Sequence, residues 1–73
     1  MTERELRLLL DAKAVKHVHV LYALMSQGYM IVVDGKSLET SKRETREFKT
    51  LDSAAKTLFK IGVADFGVRL RTT

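Results

Sequence analysis

The spacing of apolar residues along this chain switches between two periods, and that alternation limits the fold more than any other feature. Leu6, Leu9 and Leu10 recur at helical intervals, and apolar residues between Val15 and Val33 tend towards a two-residue period. The helical interval returns from Leu51 to Phe59, and Phe66, Val68 and Leu70 alternate again. A period near 3.6 marks one buried face of a helix, whereas a period of two marks one face of a strand. The order that follows is α-β-β-β-α-β. It describes an α+β domain with two helices packed on a mostly antiparallel sheet.

Local signals fix most element ends. Thr2-Glu3-Arg4-Glu5 is a capping-box pattern, so a first helix is expected from about Glu3 to Asp11, with Leu8 widening its apolar stripe. Val18, Val20, Tyr22 and Leu24 form one face of a first strand, Ser26-Gln27-Gly28 a turn, and Tyr29–Val33 a second strand. Asp34-Gly35 is the strongest hairpin signal, because a tight turn there needs positive φ. The return strand is open between Ser37–Lys42, Thr45–Lys49, and one long strand with a bulge. Thr50 caps a second helix, in which Leu51, Ala54, Ala55, Leu58 and Phe59 share a face. Gly62 suits the left-handed residue that ends it, letting Val63 fold back on Leu58.

A chain of 73 residues is one domain, spanning 1–73, with no linker or repeat inside it. Such a domain buries only about 60% of its unfolded surface, so its core is small. It has no cysteine, which removes disulfides, thiolate zinc ligands and a thiol nucleophile, and fits a reducing cytoplasmic setting. No apolar run approaches the ~18 residues of a membrane span, and no signal peptide opens the chain. No membrane partner is expected.

Both strands of the first hairpin carry apolar residues on both faces. Val18, Val20 and Tyr22 are backed by Leu21 and Ala23, and Tyr29, Ile31 and Val33 by Met30 and Val32. A sheet with one wet face alternates more cleanly. Either the helices cover opposite faces, or the second face meets another subunit. A homodimer is expected, through that face or through an exposed edge, since association offsets a small core.

Residues able to carry chemistry are sparse. His17 and His19 lie on one strand face, ~7 Å apart, with no third ligand at a metal-site spacing. No serine sits in a Gly-x-Ser-x-Gly elbow, and the glycines form no phosphate loop. No catalytic residue, cofactor or metal is assigned, and a non-enzymatic protein is expected. The net charge of +4 admits nucleic acid, although the densest run, Lys42 to Lys49, interleaves both signs. The candidate binding residues are Lys42, Arg43, Arg46 and Lys49 of the charged hairpin and Arg69 and Arg71 of the last strand. Flanking strands would bring them together beside His17 and His19 on an outer sheet face. The helix–three strands–helix order resembles double-stranded-RNA-binding domains. It departs from them in the last strand and in Asp52, which stands where they carry a basic cluster.

The run Arg46-Glu47-Phe48-Lys49-Thr50-Leu51-Asp52-Ser53-Ala54-Ala55, followed by Leu58, Ile61-Gly62-Val63 and Phe66-Gly67-Val68-Arg69-Leu70, carries a second likeness. It resembles the C-terminal half of small plasmid-borne proteins associated with partition or replication. In those proteins a Trp often stands in the second strand and a Gly before the Arg-x-Phe run; here the positions hold Tyr29 and Glu44-Thr45. The resemblance implies a mobile-element setting and transfers no active site. The function expected is that of an accessory or interaction protein, homodimeric, with direct nucleic-acid binding through a basic sheet face as the alternative.

Overall fold

A computed structural model describes residues 1–23 and 27–69. The elements are α1 (Glu3–Asp11), β1 (Val18–Ala23), β2 (Gly28–Val33), β3 (Lys36–Ser37), β4 (Glu47–Phe48), α2 (Leu51–Ile61) and β5 (Gly67–Arg69). The described residues form an α+β domain of two helices and one mixed sheet, as the periodicity requires. β2 pairs antiparallel with β1, β3 and β4, and β5 pairs parallel to β1. Leu24 and Ser26, assigned to the first strand and its turn, and Leu70 and Arg71 of the last strand, lie outside the described residues.

Both helices begin and end on local chemistry. The Thr2 hydroxyl accepts from the Glu5 amide at 3.3 Å while the Glu5 carboxylate accepts from the Thr2 amide at 3.2 Å, completing the capping box. These bonds to Thr2 hold the Glu5 carboxyl below its ordinary pKa, and the nearby Arg43 adds to the effect. Lys13, in the left-handed region at φ 55°, ends α1, with Lys13 and Ala14 amides donating to Leu10 and Leu9. Thr50 caps α2 by accepting from the Ser53 amide at 3.1 Å. Gly62, at φ 118°, closes α2 with the Val63 amide donating back to Leu58 at 2.9 Å.

The β1–β2 hairpin carries the core. Asp34 and Gly35 both take positive φ, 48° and 83°, joining β2 to β3 through a two-residue turn. The return strand is one edge in two pieces. β3 pairs with the end of β2 and β4 with its beginning, and residues 39–45 leave the sheet between them as a small turn. That excursion is closed by a bridge between Glu39 and Thr45 and by the Thr40 amide donating to Glu44 at 2.7 Å. It is tied to the start of α1 by a parallel bridge between Thr2 and Glu39 and by Arg43, whose guanidinium lies 3.3 Å from Glu5.

Leu6 of α1 and Ala54, Leu58 and Ile61 of α2 meet Val20, Ile31, Val33, Leu38, Phe48 and Val63 in one buried cluster. Both helices therefore pack on the same face of the sheet. Two residues expected in apolar stripes are largely exposed, Leu8 at 63% and Phe59 at 82%. Successive helical residues rotate by about 100°. With Ala54, Leu58 and Ile61 facing the sheet, Phe59 is carried to the flank, over the side where β5 offers three residues of cover.

Candidate interaction surface

Because side chains alternate along a strand, burying Val20, Ile31 and Val33 under the helices turns their neighbours to the opposite face. Among the described residues no helix lies over that face. Two cross-strand rows define it. One runs Gly67–His19–Val32–Ser37 across β5, β1, β2 and β3. The other runs Arg69–Leu21–Met30–Glu47 across β5, β1, β2 and β4. Leu21, Met30 and Val32 form an apolar centre, half-buried and apart from the core cluster. Glu47 lies beside it, with its carboxylate 3.3 Å from where a Cβ on Gly28 would stand.

One end of this face gathers charged groups of both signs. Lys16, His17, His19 and Arg69 border an open hollow of about 1000 Å³ together with Asp34 and Asp65. Asp34 is engaged locally: its carboxylate accepts from the His17 amide at 2.7 Å and the Lys16 amide at 3.1 Å. Those backbone bonds hold its carboxyl below the usual aspartate range. Partial burial lowers the His19 pKa, and the positive charges of Arg69 and His17 push in the same direction. Among the described residues no group of three or more His, Asp or Glu is arranged to hold a metal ion.

The candidate binding residues are dispersed. Arg43 and Arg46 share a groove at the start of α1 with Thr2, Glu5 and Glu39. There Arg43 is paired with Glu5 and Glu39, and the Arg46 guanidinium stacks 5.2 Å from the centre of the Phe48 ring. Lys42 is exposed in the excursion and Lys49 is exposed just before α2. Arg69 stands at the other edge of the sheet, beside His19 on the uncovered face. The strand order β3-β2-β1-β5 puts roughly 14 Å between the two edges. The six residues therefore do not form one patch: Arg69 joins the histidines, Arg43 and Arg46 stay with α1, Lys42 and Lys49 stand apart from that groove, and Arg71 lies outside the described residues.

Aromatic side chains are turned away from the uncovered face. Phe48 is buried under the helices, and Tyr29 and Phe66 pack against the same core. Tyr22 meets Tyr29 on that side, with ring centres 5.2 Å apart. The residue that sequence reasoning left out of the surface is Glu47. Its signal was present, since Glu47 precedes a Phe that belongs in the core, and a strand must turn such a neighbour outwards. Among the described residues no helix is long and apolar enough to cross a membrane. Compared with known proteins, the chain matches no family model, no curated protein and no solved structure.

Proposed function

We propose that the protein is a small non-enzymatic interaction protein that works as a homodimer, with the uncovered sheet face as its working surface. One observation carries the reading: Leu21, Met30 and Val32 form an apolar strip across the two central strands, on the face opposite both helices. Apolar area left on a sheet face is the usual signature of a partner surface. A domain this small gains stability by covering it. The likeness of the Arg46–Ala55 run to plasmid-borne partition- or replication-associated proteins supports a setting as an accessory protein of a plasmid or other mobile element.

Direct nucleic-acid binding is the second reading, favoured by Lys16 and Arg69, which stand with His17 and His19 at one end of the face beside Asp34 and Asp65. Against it stands the turning of Tyr22, Tyr29 and Phe48 to the helix side, which leaves the face without tyrosine or phenylalanine rings on which bases could stack. Light scattering across a concentration series tests the first reading. The expected mass is about twice 8.3 kDa at high concentration, and a constant 8.3 kDa would reject it. Fluorescence anisotropy with labelled duplex and single-stranded DNA tests the second, which requires binding that weakens steeply with salt.

A further inference from the structure

The row Arg69–Leu21–Met30–Glu47 is positive at one end, apolar in the middle and negative at the other. From this order we infer the geometry of the dimer: two uncovered faces stacked about a two-fold axis that lies in the interface, parallel to the strands and between β1 and β2. The inference rests on the homodimer reading and adds an arrangement to it. That axis reverses the row. It sets Arg69 over the partner's Glu47, Leu21 over the partner's Met30, and the reciprocal contacts at the other end. An axis across the strands through the same row would instead oppose Arg69 to Arg69 and Glu47 to Glu47. Closed dimers use one patch twice, so a row that complements itself on reversal selects one symmetry operation.

Dimensions agree with this arrangement. Sheets packed face to face lie about 10 Å apart with strands nearly aligned. Leucine and methionine side chains fill that gap, and the longer arginine and glutamate reach across it at the rim. The adjacent row follows the same operation, placing His19 over the partner's Val32 and Gly67 over the partner's Ser37. Gly67 adds no bulk there, and the Cβ it lacks would stand 3.8 Å from that of His19. The face is roughly 14 Å by 20 Å, from three strand spacings and six residues of strand. That is at the small end of specific interfaces, so the dimer is expected to dissociate in the micromolar range or above.

Charge reversal tests the geometry separately from the association. Arg69 and Glu47 are both exposed, so reversing either leaves the folded monomer intact, checked by its thermal unfolding. Arg69→Glu alone and Glu47→Arg alone each create two like-charge contacts per dimer, and each is expected to raise the dimer Kd about tenfold or more in sedimentation. The two changes together re-create both pairs with the signs exchanged. The combined variant is expected to return to within about threefold of the original. Failure of the combination to recover, or single variants with unchanged Kd, would overturn the axis while leaving the dimer standing. A dimer that ignores both reversals but is lost on Val68→Pro would pair through the β5 edge, which also overturns it. A chain that stays monomeric at millimolar concentration would remove the homodimer reading itself.

Discussion

At the scale of single residues, burial decides which apolar side chains matter. Leu58 is fully buried and Phe59, the next residue, is 82% exposed. Leu58→Ala is expected to cost about 2–5 kcal/mol, a large share of the roughly 4–10 kcal/mol available to a domain of this size. Phe59→Ala is expected to change stability by less than about 0.5 kcal/mol, and chemical denaturation of the two variants checks the contrast. The pair also marks a limit of sequence reading. Periodicity placed both on one stripe, because the stripe's centre is set by where β2 and β4 run beneath α2, a fact outside the helix. His19 supplies a second residue-scale expectation. Its burial, and then the charges of Arg69 and His17, lower its folded pKa. The stability this contributes is complete above the ordinary value of about 6.5 and is lost as pH falls through the lowered folded pKa. A proton NMR titration should place the His19 midpoint below 6.5, and Arg69→Ala should move it back upwards. A midpoint unmoved by that change would remove Arg69 from the account.

At the scale of elements, the two helix ends make opposite predictions from the same geometry. Gly62 holds φ 118° with open space around it, so Gly62→Ala meets no clash and costs only the left-handed backbone, about 1 kcal/mol. Lys13 holds φ 55° at the end of α1 without glycine's freedom. Lys13→Gly is therefore expected to raise stability by about 0.5–1 kcal/mol, measured as a shift in the denaturation midpoint. The α2 boundaries were legible because Thr50 and Gly62 carry their signals within a few residues of the chain. The Lys13 end was not, since a lysine in that conformation has no sequence mark. The return strand was legible only as alternatives. Whether residues 37–42 or 45–49 pair with β2 depends on how α1 holds Glu39 and Arg43. Both pieces pair, and the excursion between them is what the sequence could not choose.

At the scale of the whole molecule, the apolar residues on both faces of β1 and β2 were visible from the start, but not which face the helices take. Both helices come to one side because α2 joins β4 at one edge to β5 at the other, and α1 is tied to the excursion by Thr2 and Glu5. The same topology separates Arg69 from Arg43 and Arg46, which charge along the chain alone would group. What remains uncovered is the strip of Leu21, Met30 and Val32, which a second copy is expected to cover. Methyl NMR over a dilution series from millimolar to micromolar concentration tests this most directly. The methyl signals of Leu21, Met30 and Val32 should shift together with concentration, while those of Leu6, Leu8 and Leu58 stay fixed. Signals of the uncovered face that do not move, or shifts confined to the Val68 methyls at the β5 edge, would contradict it.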